Sequence, residues 1–581
     1  MSQIESRVAQ IRTLIGEHKL EQARVLTQRL AQAHPKDPRV ATLAAMVMNQ
    51  CNLPAQALHY ATLAAKLLPH HPQPRLDLGR LHTIAGDHAK AEAAYREALL
   101  LSPHDHAPRA ALAALLFDRG RFHEALALCM QNGALDPGLA GVAAGCYLRL
   151  VRAADASRAL ELLLEQSPDD INALIGAALV LNYRDDVPPA EVFAAHRRVG
   201  AWFARRFPPQ AVPYHPAPAP GEPVRVGILS PDLRQHSVSY FIEPLLRHHD
   251  PAQVRLTVYY TNRVEDHVTQ RLKPLADAWR PADTLDDNHL AQTIYNDRTD
   301  VLIDLSGLTH GHCLPVMQMR PAPVGATYIG YPNTTGLSSI AARLVDSITD
   351  PPGPADALAT ERLVRLDPCF LCYSPPADAP EPAPRPQAAP LVLASFNSAQ
   401  KITATTIRLW TRAVSAIPGA LLLLKSVNFE DAALRDDIRS RFAAAGLDDA
   451  RLLVLPPREG VSGHLAAYHE VDIALDPTPY NGTTTTCEAL WMGVPVVTLA
   501  ENVHAARVGA SLLSAVGLAD LVAPDEDSFV RTVADLAADT ARRRSLRTAL
   551  RDTVRTSPLC DGPAFARRFE SQMRALAASP R

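Results

Sequence analysis

The chain has 581 residues, of which 47% are hydrophobic and 20% charged, a globular balance with room for several domains. Its formal net charge of −3 argues against a dedicated nucleic-acid binder, which carries a basic face. No run approaches the ~18 apolar residues of a membrane span, the first residues lack a basic-then-apolar export signal, and eight scattered cysteines fit reduced thiols, so a cytoplasmic protein is expected.

The first predicted block is repetitive. Alanine recurs every 34 residues at Ala23, Ala57, Ala91, Ala125 and Ala159, and proline follows 12 residues later at Pro35, Pro69, Pro103 and Pro137. A 34-residue period is that of the tetratricopeptide repeat, two antiparallel helices per unit. In one unit, Gly79 lets two helices approach, Ala91 sits at their contact, Tyr95 and Ala98 share its face, and Pro103 stops the second helix. Each unit leaves an apolar face for its neighbour, so residues 1–170 predict a helical solenoid with a groove suited to a peptide partner. Residues 171–206 stay helical in pattern and read as a cap that closes the array. Residues 207–223 are proline-dense and read as a linker.

The texture then changes to short apolar runs between turns and helical stretches. The runs at 224–230, 255–260, 300–307 and 326–331 predict buried strands of one α/β domain, residues 224–373. A second proline-rich break spans 374–390. Beyond it, runs at 391–397, 420–426, 451–457, 472–477 and 495–500 predict a second such domain, residues 391–581. Two doubly wound domains place a cleft between the carboxyl ends of their sheets, where nucleotides bind.

Chemistry concentrates in the loops that follow these strands. Asn481, Gly482, Thr483, Thr484, Thr485 and Thr486 lead from a strand into a helical run. Free N–H groups at a helix start, with hydroxyls beside them, make an anion site; the alternative is an N-cap by Thr484 or Thr485. Glu488, one turn on, either holds ribose hydroxyls or completes a capping box with Thr485. Lys401 ends the loop after the first strand of the second domain, where it either reaches a phosphate or is solvated. His236 lies in the corresponding loop of the first domain, placed to act as a base or to orient a sugar. His310 and His312 lie near the same rim, and their spacing is a poor metal signal. His464 either stacks on a base or is a polar surface residue. Asp525-Glu526-Asp527 reads as acidic capping of the following helix, not as a metal site, and Cys369 and Cys372 read as structural.

These features together resemble the protein O-linked N-acetylglucosamine transferases. The matching motifs are Ser230-Pro-Asp232-Leu-Arg-Gln-His236, Met319-Arg-Pro-Ala-Pro-Val324, Gly330-Tyr331-Pro332, Phe396-Asn397 with Lys401, Asn481-Gly482 before Thr484-Thr485, and Leu490-Trp491-Met-Gly-Val-Pro495. With few repeats, the chain is similar to bacterial homologues of that enzyme. The resemblance implies the two-Rossmann arrangement termed GT-B. It implies an inverting, metal-independent glycosyltransferase that moves N-acetylglucosamine from UDP-N-acetylglucosamine to serine or threonine hydroxyls, with no cofactor. By the same resemblance His236 matches a proposed base, Lys401 the lysine on the diphosphate, His464 the histidine that stacks on uracil, and Thr484 and Thr485 the pair at the phosphates. Glu488 replaces a ribose-binding aspartate. Asn397, Ser398, Asn481, Gly482 and Thr483 complete the expected donor site, with Asp232, His310, Tyr331 and Pro332 as further cleft candidates. Ser398 and Thr483 replace a glutamine and a histidine of the family, and no lysine or arginine flanks His464 in the expected way. Two rivals remain: a repeat scaffold that binds UDP or peptide without transfer, and a same-fold transferase with another donor or a non-protein acceptor.

Overall fold

The structure is a computed structural model that describes residues 3–131, 133–208, 213–386 and 389–578. Positions 209–212 of the first proline-rich segment and 387 and 388 of the second lie outside the described residues. The chain forms two compact units, residues 1–148 with 158–166, and residues 149–157 with 167–581.

The first unit is built from the repeats. Its helices are α1 (Gln3–Gly16), α2 (Leu20–Ala33), α3 (Pro38–Gln50), α4 (Pro54–Leu67), α5 (Pro72–Ile84), α6 (His88–Leu101), α7 (His106–Asp118), α8 (Phe122–Cys129), α9 (Ala140–Arg149) and α10 (Ala153–Gln166). The starts of α2, α4, α6 and α8 fall 34 residues apart, as do those of α3, α5 and α7. The recurring alanines are all buried at the helix contacts. Gly79 is required there, because a Cβ would lie 2.3 Å from a ring carbon of Tyr95. Ala91 is wholly buried, so Ala91→Leu is expected to cost about 1–3 kcal/mol by overpacking; a melting temperature equal to wild type would contradict this. The period breaks once. α8 has 8 residues where α6 has 14, because the chain turns into a hairpin of β1 (Met130–Gln131) and β2 (Ala134–Leu135). Pro137 therefore starts a short 3-10 turn capped by Asp136 and does not stop a helix. Helices α1, α3 and α5 line a groove of about 990 Å³.

The second unit contains α11 (Ile171–Val180), α12 (Pro189–Arg206) and two parallel sheets. The first sheet comprises β3 (Val224–Ser230), β4 (Val254–Tyr260), β5 (Ala278–Pro281), β6 (Val301–Asp304), β7 (Val324–Thr327), β8 (Ala342–Val345) and β9 (Arg362–Arg365), in the order β5-β4-β3-β6-β7-β8-β9. The second comprises β10 (Val392–Ser395), β11 (Leu421–Lys425), β12 (Leu452–Leu455), β13 (Ile473–Leu475), β14 (Val496–Leu499) and β15 (Val522–Ala523), in the order β12-β11-β10-β13-β14-β15. Near-continuous burial of these strands is what helices on both faces require. In each lobe the strand order reverses beside the lobe's first strand, at β3/β6 and at β10/β13. Loops at such switch points diverge and leave a crevice.

Local contacts lock the lobes. The last helix, Gly562–Ala578, returns to the first lobe, where Glu570 accepts a hydrogen bond from Asp250 N–H at 2.7 Å. The second proline-rich segment carries no helix or strand among its described residues and is tied to the second lobe through Glu381 O and His469 Nε2. Asp525 caps the helix Glu526–Ala538 by accepting from Ser528 N–H, and Glu526 pairs with Arg408 and Arg412, so this acidic run is structural. Cys369 and Cys372 are buried free thiols; burial pushes Cys369 up to about 12. No helix among the described residues is long and apolar enough to cross a membrane.

Candidate functional site

The switch point of the second lobe brings two loops together. One follows β10 and ends in the 3-10 turn Ala399–Lys401. The other follows β13 and runs from Asp476 through Tyr480 to Thr483, before the helix Thr484–Trp491. Lys401 bridges them: its ammonium donates to Asn481 O at 2.6 Å and lies 4.0 Å from the centre of the Tyr480 ring. Loss of hydration lowers the Lys401 amine to about 8, opposed by the carboxylate of Asp476. Asp476 shapes the second loop. It accepts from Gly482 N–H at 2.7 Å and from Thr498 Oγ1 at 2.8 Å, while burial raises its carboxyl to about 6. At Gly482 the loop passes so close that a Cβ would sit 2.9 Å from Asn397 Oδ1.

The helix that follows has Thr483 as its cap residue, and no side chain caps it. Its first amides are thus available to an external anion, with Thr484 and Thr485 at the first two helical positions. The capping-box reading of Glu488 is corrected here. Its carboxylate faces away from Thr485 and sits 3.0 Å from His464 Nε2.

The first lobe supplies the opposite wall. A cavity of about 470 Å³ is lined by Asp232, His236, His310 and Pro332 on one side and by Asn397, Ser398, Lys401, Thr483, Thr484 and Thr485 on the other. His236 Nδ1 accepts from Val238 N–H at 3.3 Å, so the neutral ring carries its proton on Nε2 and is a donor. Burial lowers its basicity, opposed by the Asp232 carboxylate at 3.9 Å. Ile329, on the same rim, is held at φ 49°, a conformation β-branched residues rarely adopt outside constrained sites.

Other candidates lie outside this cavity. Asn481 is spent on the loop itself: its amide donates to Pro477 O and accepts from Gly509 N–H. Tyr331 is a correction. Its side chain is buried towards the helical cap, with its hydroxyl 2.8 Å from Asn182 Nδ2 and 2.7 Å from His196 Nε2, because close packing of Gly330 on Leu305 O turns the next residue away. His312 packs its ring edge on Phe203 of α12. His464 lies beyond the helix start. Its Nδ1 is 2.7 Å from Lys425 Nζ, so with Glu488 on Nε2 both ring nitrogens are engaged and the faces remain for stacking.

Sequence reasoning missed several of these residues. Lys425 supplies from β11 the lysine absent beside His464 in sequence; its signal is a charge closing the run Leu421–Leu424. Tyr480, Arg234 and His504 also line the cavity, and no sequence motif marks them.

The profile of Glycosyl transferase family 41 matches residues 210–372 and 385–569, and a tetratricopeptide repeat profile matches residues 75–204, running through α11 and α12. The chain is similar to the Arabidopsis thaliana protein named probable UDP-N-acetylglucosamine–peptide N-acetylglucosaminyltransferase SPINDLY, with 40% identity over 417 residues, 70% of this chain and 45% of that one. With the Arabidopsis thaliana protein named probable UDP-N-acetylglucosamine–peptide N-acetylglucosaminyltransferase SEC, identity is 26% over 359 residues, 60% of this chain and 36% of that one. The chain thus spans less than half the length of these curated relatives. The solved structure of a Thermobaculum terrenum O-GlcNAc transferase mutant superposes with a TM-score of 0.74 at 29% identity, covering 93% of this chain and 97% of that one.

Proposed function

The chain belongs to glycosyl transferase family 41, and on that premise we propose that it moves N-acetylglucosamine from UDP-N-acetylglucosamine to serine or threonine hydroxyls of proteins. The observation that carries the reading is the fixed ammonium of Lys401 beside the uncapped start of the helix Thr484–Trp491. Those groups meet the diphosphate. Uracil stacks on a face of His464, and Glu488 holds the ribose. Asn397, Ser398 and Thr483 line the path between phosphates and sugar.

The acceptor hydroxyl attacks the anomeric carbon from the side opposite the diphosphate, and configuration inverts. Negative charge grows on the leaving oxygen, where Lys401 and the amides of Thr484 and Thr485 stabilise it; such preorganised groups are usually the largest catalytic contribution. They provide the positive charge a metal would otherwise supply, so the reaction runs without one. The Nε2–H of His236 donates to the sugar or acceptor and orients it. The acceptor protein lies along the groove of α1, α3 and α5. A cytoplasmic location suits eight free cysteines.

The test is UDP release from UDP-N-acetylglucosamine by the full chain, with UDP-glucose in parallel and a chelator added to half the samples. Preferential consumption of the N-acetylglucosamine donor, unaffected by chelator, with a β-linked product by NMR, is expected. Saturable UDP binding with every donor left intact would instead identify a scaffold.

A further inference from the structure

The cavity wall contains a histidine–carboxylate couple that spans the two lobes. His504 starts a 3-10 turn in the second lobe and lines the cavity that also holds Lys401. Its Nδ1 lies 2.5 Å from Asp350 Oδ2 of the first lobe. Asp350 is buried, with Arg343 Nη1 3.8 Å from its other oxygen. The positive neighbours His504 and Arg343 outweigh desolvation and keep that carboxyl well below the usual carboxylate range. An ionised Asp350 accepts, so Nδ1 of His504 donates. The neutral ring therefore has its lone pair on Nε2, for which no hydrogen bond is recorded among the described residues. His236 is wired the opposite way, with its proton on Nε2.

The couple is also rigid. Arg507 Nε donates to Ile348 O at 2.6 Å and Ser511 Oγ to Asp346 Oδ2 at 2.5 Å, which docks the whole turn on the loop that carries Asp350. The ring of Phe370 packs against His504 at 5.2 Å. An imidazole oriented by a buried carboxylate, with its second nitrogen open to a substrate cavity, is the arrangement that accepts a proton from an attacking hydroxyl.

We propose that His504 takes the proton of the incoming hydroxyl and that Asp350 is its positioning partner, an assignment that rests on the transferase reading above. The acceptor oxygen bonds to the anomeric carbon. The bond from that carbon to the β-phosphate oxygen breaks, and its electron pair leaves with the diphosphate. The hydroxyl proton passes to Nε2, and the resulting imidazolium is paired with Asp350. When water replaces the acceptor, the proton follows the same route.

Azide separates this role from a structural one, because it attacks as an anion with no proton to lose. The full chain and its His504→Ala and His504→Gln variants are given UDP-N-acetylglucosamine with or without azide, and UDP affinity is measured by calorimetry. The glutamine variant keeps an amide donor for Asp350, which guards against misfolding. Both variants are expected to release UDP to water about 100-fold more slowly or worse. Glycosyl azide formation and UDP affinity should stay near wild type. Asp350→Asn should slow the water reaction and spare the azide reaction in the same way. Equal losses with both nucleophiles, or no loss with either, would overturn the assignment while leaving the transferase reading standing. A wild-type chain that binds UDP and consumes no donor under either condition would overturn both.

Discussion

Lys401→Ala is expected to lower donor turnover by about 10³-fold, the upper range for losing one preorganised stabiliser of a developing anion, with little change in melting temperature. The fold should survive because the ammonium is held by a carbonyl and an aromatic face. Without it Asp476 keeps its bonds from Gly482 and Thr498 and moves further towards its neutral form. The same lysine predicts a pH dependence. Desolvation lowers the amine to about 8, so in the free protein the ammonium is lost as pH rises through that value. A bound diphosphate requires the charged form, so binding takes up a proton above pH 8. UDP affinity should then weaken by about tenfold per pH unit on the alkaline side of 8. An ordinary lysine would leave affinity flat to about pH 10. The terminal phosphate is already ionised there, since its second pKa is about 6. Isothermal titration of UDP across this range decides the point. A flat profile, or wild-type turnover in Lys401→Ala, would remove the lysine from the diphosphate.

Gly200→Val should destabilise the second unit by about 3 kcal/mol or more. Gly200 lies on α12 at its crossing with the first lobe, where a Cβ would fall 1.7 Å from Gly336 O. Gly336 is itself at φ +78°, and a Cβ there would lie 1.9 Å from His196 O. Backbone meets backbone on both sides, so no side chain can yield. Pushing α12 away also separates His196 from the Tyr331 hydroxyl, leaving buried polar atoms unpaired, each costing about 1–3 kcal/mol. Thermal unfolding should drop by several degrees. Because Tyr331 sits between Gly330 and Pro332 of the cavity wall, UDP affinity should fall with it. An unchanged melting profile would show that the crossing relaxes.

These two residues illustrate what can be read from the chain alone. Lys401 and Thr484 are 83 positions apart, yet each follows an apolar run that becomes a strand of one sheet, and the switch-point rule brings such loops together. The repeats are equally legible, because a small residue is needed wherever two helices touch and the need recurs with every unit. The strands that escaped notice are β5, β8, β9 and β15. β8 contains Arg343 and β9 has arginine at both ends, so charge interrupts the apolar signal. β5 is half exposed at a sheet edge and β15 has only 2 residues. The couple of His504 and Asp350 has no local signature, since its two members meet only after both lobes have folded. Tyr331 misled for the same reason: its motif marks the rim, but the side chain turns to α11 and α12.

The hold on Lys401 has one further result. Asn481 O and the Tyr480 ring fix the four-carbon arm in advance, so an arriving diphosphate does not bear the ~2 kcal/mol of rotamer entropy that a free lysine would lose. Nothing in that grip distinguishes a nucleotide still carrying its sugar from one that has just lost it. The spent diphosphate should linger and compete with fresh donor, so that throughput in the cell would depend on whatever phosphatase clears the by-product.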